Sequence, residues 1–213
     1  MPPEDILQLL WSPRSPFVRK VMIVLHETGL TDRVETVRAV ASMAKVNPQI
    51  LQHNPLGKIP VLLTSEHGAI YDSPVICEYL DGLHNGARLF PADTANRILA
   101  LRRQALGDGL IDVMLLLRNE AARPNGTPSP TYLAGFEQKL AAGLNALEAE
   151  APNLDKSAFS VGHIAIGCAL GYLDFRFSDR DWRSAYPSLA AWYEGFAARA
   201  SSRATLPGDE AAA

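Results

Sequence analysis

"ILQLLWSPRSPFVRKVMIVLHETGLTDRVETVR", residues 6–38, sets the fold by the order of its elements. Residues 6–11 form a short apolar run, which predicts a strand. Pro16 stands where a helix takes its first residue, because its missing N–H is one the first turn leaves unpaired and its ring pre-sets φ. Ser15 before it is a natural N-cap. Val18, Val21, Met22 and Leu25 then share one face of a helix over 16–28, and Gly29 stops it. Alternation in "RVETVRAV" (33–40) gives a second strand, with Val34, Thr36 and Arg38 on one side and Glu35, Val37 and Ala39 on the other. A strand–helix–strand unit implies a parallel pair with a right-handed crossover. The Ser15 hydroxyl therefore sits at a helix start, where it can bond the helix's own unpaired N–H groups or face an anion that those groups also attract. The stretch alone leaves both open, and leaves Ser12 beside it as a second hydroxyl.

Working outward, a short irregular helix over 48–52 leads into "NPLGKIPVLLT" (54–64), a turn followed by a strand over 61–64. "SEHGAIYD" (65–72) reads as a tight turn and a further short strand, and 73–83 as a helix with Ser73 as N-cap and Pro74 behind it. Strands joined by a tight turn are antiparallel, so the four-stranded sheet is mixed. From Asp93 the pattern changes to long helical stretches: 94–123, interrupted by "GDG" (107–109) as a bend or close approach, then 132–150, 160–177 and 187–200. "RPNGTPSP" (123–130) ends the first of these, and 201–213 read as an open tail. The expected organisation is an α/β domain over 1–83, a linker "HNGARLFPA" over 84–92, and an all-helical domain over 93–213.

Composition bounds the partners. The 213 residues are 47% hydrophobic, enough for a sizeable core, and the net charge of −3 with scattered Lys and Arg gives no footprint for nucleic acid or an acidic membrane. "MPPEDILQLL" (1–10) carries acids and prolines where a secretory signal has a basic stretch and a long apolar core, so a cytoplasmic protein is expected. Cys77 and Cys168 lie far apart in apolar helical patterns and read as buried reduced thiols. The five histidines (26, 53, 67, 84, 163) fall at no metal-ligand spacing, so no metal site is expected. Arg19 and Lys20 read as surface charges of the first helix.

Three segments taken together resemble the cytosolic glutathione transferase family, in its serine-type, bacterial form: "SPFVRKVMIVL" (15–25), "NPLGKIPVL" (54–62) and "YDSPVICEYL" (71–80). "SVGHIAIGCALGYLDFR" (160–176) extends the resemblance into the second half. It implies a thioredoxin-like N-terminal domain on a helical bundle, and a dimer. The resemblance also implies a cis bond before Pro60, presenting the backbone of Ile59 to the cysteinyl unit of glutathione. Ser73 and Asp72 would then hold the γ-glutamyl carboxylate and amine, and Lys58 the glycyl carboxylate. Most relatives carry Glu or Gln where Asp72 stands.

Ser15 aligns with the catalytic hydroxyl of the serine classes, and Ser12 with an earlier serine that other classes use. A serine there acts as hydrogen-bond donor to the sulfur anion, not as a base. Leu110, Met114, Leu117 and Arg118 fall on the stretch that relatives turn toward a small hydrophobic electrophile, although bundle core explains the apolar three equally well. The implied activity is glutathione transfer with glutathione as co-substrate and no other cofactor. The alternatives are a non-catalytic binding or interaction relative, and a glutathione-dependent isomerase or peroxidase. One departure stands out: the helix-start pattern Ser-x-x-Asp is here Ser160 followed by His163. A neutral imidazole can serve that cap, whereas a protonated one faces the wrong end of the dipole, so the expected effect is on stability near pH 6.

Overall fold

A computed structural model describes residues 6–123 and 126–209 of the chain. They form two compact units, one running to Ala92 and resuming at Ala200, the other spanning Asp93–Arg199. In the first unit, β1 (Leu7–Trp11) pairs in parallel with β2 (Val34–Arg38) and antiparallel with β3 (Val61–Thr64), which pairs antiparallel with β4 (Gly68–Ile70). The order β2-β1-β3-β4 is the expected mixed sheet. Leu9 lies opposite both Thr36 and Leu62, so the most buried strand is the one first in sequence.

Helix α1 (Pro16–Thr28) follows β1 and ends as its sequence dictates. Gly29 takes φ +70°, and its N–H and that of Leu30 return to the last turn, an ending that costs a residue with a Cβ. The short α2 (Pro48–Leu51) and α3 (Ser73–Gly82) complete the layer. Val21, Val24, Ile76 and Leu80 are fully buried in this unit.

Two expectations fail here. Residues 201–213 read as an open tail, and Arg19 and Lys20 as surface charges. Instead α9 (Ala200–Ala204) packs along α1, where Arg19 meets Ser202 and is 4% exposed and Ser201 and Ser202 are buried, and Lys20 on the same helix is 0% exposed. The covering element lies some 180 residues downstream, so no local pattern announces it. Residues 84–92, read as a linker, belong to the first unit. Asp81 ties them down, accepting from Leu89 N (2.8 Å), Phe90 N (3.2 Å) and His84 Nε2 (3.2 Å), and Leu89 and Phe90 are buried. Of the sequence features named above, residues 1–5, 124–125 and 210–213 lie outside the described residues.

The second unit is helical: α4 (Thr94–Ala121), α5 (Pro130–Leu154), α6 (Val161–Arg176), the short α7 (Trp182–Ala185), which the sequence pattern did not reveal, and α8 (Pro187–Ala197). Residues Val161–Leu173 are buried without a break, as a helix that is apolar on every side must be. Helix α4 passes through "GDG" unbroken, and Gly107 is the close approach: a Cβ there would lie 2.5 Å from the backbone carbon of Ala165. Beside it Arg103, 3% exposed at its side chain, donates Nε to Glu150 (2.8 Å) and Nη1 to Ser157 Oγ (2.7 Å). Burial raises the Glu150 pKa, but the bonds from Arg103 and Arg102 outweigh it and hold the carboxyl below its ordinary value.

The start of α6 is closed by His163 in the place of the usual carboxylate. Its Nδ1 accepts from the Ser160 amide (3.0 Å), while Nε2 meets the Leu154 carbonyl (3.1 Å) and Ser157 Oγ (3.2 Å). The acceptor role of Nδ1 fixes a neutral ring with its hydrogen on Nε2. Burial, the largest influence, lowers the His163 pKa. The Leu154 carbonyl raises it, Arg103 lowers it, Asp155 raises it and Arg199 lowers it, with a net shift downward. The unfolded chain thus takes up this proton at higher pH than the folded one. The stabilisation is complete above about pH 6.5 and is lost as pH falls from there through the lowered folded value. His163→Asp, which keeps an acceptor throughout that range, is expected to flatten the fall in urea midpoint between about pH 7 and pH 5.5 relative to the native chain. An equal fall in both proteins contradicts the assignment.

Candidate functional site

The β1–α1 turn is built by its own serines. Ser15 N donates to the Ser12 carbonyl (3.2 Å), and Ser12 Oγ, buried, accepts weakly from Arg14 N (3.4 Å). Ser15 is half-buried and caps α1, its Oγ accepting from Val18 N (3.2 Å). Capping uses a lone pair and leaves the hydroxyl hydrogen to be donated elsewhere. One side chain can therefore hold the helix and still offer a proton to an anion. Ser12 Oγ likewise accepts from one amide and keeps its hydrogen, and what sets Ser15 apart is its place at the N-cap of α1.

Ser12 and Ser15 line one cavity of about 90 Å³ within the first unit, together with Trp11, Arg19, Met22 and the tail residue Leu206. None of Lys58, Ile59, Pro60, Asp72 and Ser73 lines it. Ile59 is nevertheless a neighbour of the α1 start, since it packs in one apolar cluster with Leu10, Val18 and Val61, against which Trp11 and Met22 lie.

The Ile59–Pro60 peptide bond is cis, as the resemblance implies. The turn before it is held by a residue the sequence reading passed over. Asn54, 1% exposed, donates Nδ2 to the Lys58 carbonyl (2.9 Å) and accepts at Oδ1 from Leu56 N (3.0 Å), fixing the segment that delivers Ile59. The Lys58 side chain is exposed.

At α3 the expected cap moves by one residue. Asp72, not Ser73, is the N-cap: its carbonyl accepts from Ile76 N (3.0 Å), and Ser73 opens the helix with Pro74 behind it. The Tyr71–Asp72 bond is also cis. The Asp72 carboxylate makes no capping bond and is exposed, which leaves it to an external cation such as an amine. Ser73 is 1% exposed.

On α4, Leu110, Met114 and Leu117 are buried at 3%, 1% and 3% exposure, and Leu110 packs onto Gly143 of α5, where a Cβ would meet its Cδ2 at 2.5 Å. Leu110 is thus bundle core rather than a pocket wall. Arg118 is exposed; burial raises the Tyr172 pKa, and the charges of Arg118 and Arg176 work against that rise. A separate cavity of about 190 Å³ in the second unit is lined by Leu140, Leu144, Leu173, Trp182 and Tyr186, with Glu137 and Arg180 at bidentate distances of 2.7 and 2.6 Å. None of the four expected pocket residues lines either cavity. Cys77 and Cys168 are buried and form no disulfide. Among the described residues no helix is long and apolar enough to cross a membrane, and no three His, Cys, Asp or Glu cluster as a metal ion requires.

Comparison with known proteins agrees with the fold. The description "Glutathione S-transferase, N-terminal domain" matches residues 14–83, and "Glutathione S-transferase, C-terminal domain" matches 122–195. The GST-like protein YibF of Escherichia coli (strain K12), itself uncharacterized, is 34% identical over 94% of this chain and 98% of its own length. A glutathione transferase family member from Pseudomonas fluorescens Pf-5, solved with bound glutathione, superposes with a TM-score of 0.91 at 43% identity, covering 95% of this chain and all of that one. A second structure from the same organism, with bound S-(propanoic acid)-glutathione, gives 0.86 at 42% identity over the same shares, 95% and 100%.

Proposed function

The chain belongs to the glutathione S-transferase family, and on that premise we propose that it activates the glutathione thiol for attack on a small hydrophobic electrophile, with Ser15 as the catalytic donor. The observation that carries the reading is the Ser15 hydroxyl, which caps α1 through its oxygen, keeps its hydrogen to donate and faces a cavity. A free thiol has a pKa near 8.5, so only a few per cent is thiolate at neutral pH, and each unit of depression corresponds to about 1.4 kcal/mol of preferential anion stabilisation. A charge-assisted bond contributes about 1.5–3 kcal/mol and a helix N-terminus up to about 2, so the two together account for a majority thiolate.

Glutathione itself would lie antiparallel to the Ile59 backbone, its γ-glutamyl end at Asp72 and Ser73 and its glycyl carboxylate at Lys58. The spare Asp72 carboxylate supports the amine contact. The reaction needs no metal and no cofactor beyond the co-substrate, and the working form is a cytoplasmic homodimer.

Incubation with glutathione and chlorodinitrobenzene tests the activity. Saturable, glutathione-dependent conjugate formation is expected. Calorimetric binding of glutathione with no turnover of this or other electrophiles would favour the binding-module reading instead.

A further inference from the structure

The cavity of about 190 Å³ is built within the helical unit and has no part in the reading above. One wall is a face of α5, since Glu137, Leu140, Ala141 and Leu144 stand at i, i+3, i+4 and i+7. The other is Leu173 of α6, residues 180–182 and Tyr186. Leu140, Leu144, Leu173 and Trp182 are buried and make the inner part apolar. Trp182 is fixed by the protein itself: its Nε1 donates to Asp174 Oδ1 (2.8 Å), and its ring meets that of Tyr193 edge-on at 5.9 Å. A wall already in place adds little ordering cost to binding.

Charge decides what such a pocket takes. Glu137 and Arg180 neutralise each other through two bonds of 2.7 and 2.6 Å. Arg183 is held in the same way by Asp174, at 2.7 and 2.7 Å. Asp181, exposed and lining the cavity, accepts from Ser184 N (3.3 Å) and, among the described residues, is bonded to no cation; Arg183 acts on it only through space. The bonds from the Ser184 hydroxyl and amide hold its carboxyl below the ordinary value, so it is charged at neutral pH. Asp179, beside Arg180, adds to the same sign. The rim of an apolar pocket thus carries an unbalanced negative charge.

We propose that this cavity is a binding site for a small arylalkylamine, its single ring in the apolar part and its ammonium at Asp181. Size sets the ring count: about 190 Å³ exceeds the engineered cavity of about 150 Å³ that takes benzene, so one ring with a short arm fits. The arm carries the cation to the rim, where the Tyr186 ring also lines the pocket and its π face favours positive charge. An acid of the same shape is disfavoured, because it meets Asp181 and reaches a guanidinium only by displacing Glu137 from a bidentate pair.

The test is titration of the native chain with phenethylamine, its neutral isostere 2-phenylethanol, and phenylacetate, followed on the Trp182 indole N–H resonance. The chain has three tryptophans, and that resonance is identified by its loss in Trp182→Phe. A saturable shift is expected with phenethylamine, at an affinity about 5- to 10-fold tighter than for the alcohol, with phenylacetate weakest. Asp181→Asn keeps the cap of α7 and should bring amine and alcohol to within about twofold, the affinity for the alcohol being unchanged. Ala141→Phe, at an exposed position of α5, fills the pocket and should remove the response to all three. No saturable shift with phenethylamine, equal affinities for amine and alcohol, or tighter binding of phenylacetate on the native chain overturns the inference, as does an Asp181→Asn variant that keeps the full amine preference. None of these results touches the glutathione reading, which stands on Ser15 in the first unit.

Discussion

Replacing Ser15 by glycine lowers kcat/KM for glutathione conjugation by about 10- to 100-fold, the equivalent of one charge-assisted hydrogen bond of about 1.5–3 kcal/mol. Glycine is the informative replacement because it keeps the helix start: as an N-cap it costs only a few tenths of a kcal/mol against serine, whereas alanine costs about 1. A loss shared by Ser15→Gly and Ser15→Ala therefore reports the hydroxyl's hydrogen and not the stability of α1. Ser15→Thr, which keeps both cap and donor, should retain most of the activity. Ser12→Ala is expected to change turnover only a few-fold, because Ser12 stands before the α1 cap, where the helix dipole does not reinforce its hydroxyl as it does that of Ser15. Steady-state kinetics at saturating glutathione checks the order of the four variants, and a Ser12→Ala loss exceeding that of Ser15→Gly would move the chemistry to Ser12.

The second large effect is on stability. Glu150→Ala removes the carboxylate that faces the buried Arg103 and leaves the guanidinium with Ser157 Oγ alone. Breaking a buried pair by deleting one partner costs about 3–5 kcal/mol, because the surviving charge stays desolvated. The Glu150 side chain keeps 14% exposure, which places the expected loss near the lower end, about 3 kcal/mol. Against a total of about 5–15 kcal/mol, that is a substantial drop in urea midpoint. Glu150→Gln, which keeps one acceptor oxygen, should lose less. The double variant Glu150→Ala/Arg103→Met should recover part of the loss, since no charge is then stranded. If the single and double variants are equally unstable, packing and not the unpaired cation explains the effect.

Local signals in the sequence placed the first unit accurately because its elements are punctuated. Pro16 and Gly29 bound α1, and the strand over 61–64 lies where the turn residues and the cis-proline segment put it. What could not be read locally was made by contacts between distant segments. Arg19 looks like a surface charge until α9 covers it, and Ser201 and Ser202 look like tail until they meet Glu27 and Arg19. Leu110 has the spacing of a pocket wall and also of a core residue, and only the glycine opposite it on α5 decides. Asn54 carried a signal that could have been used: an asparagine ahead of Pro and Gly is a turn residue whose amide can bond nearby backbone, as it does to Lys58. The shift of the α3 cap from Ser73 to Asp72 had no such signal, because either residue can precede Pro74 at a helix start. His163 is the opposite case, a departure visible in sequence whose consequence follows from the nitrogen that accepts the cap.

The account stands on the Ser15 hydroxyl stabilising a bound sulfur anion. The direct measurement is the ultraviolet thiolate absorbance of bound glutathione titrated against pH, on the native chain and on Ser15→Gly. The native complex is expected to titrate at least ~1 unit below the free-thiol value of about 8.5, and Ser15→Gly to move back toward it. A native complex that titrates like free glutathione, or a depression of the same size in both proteins, contradicts it.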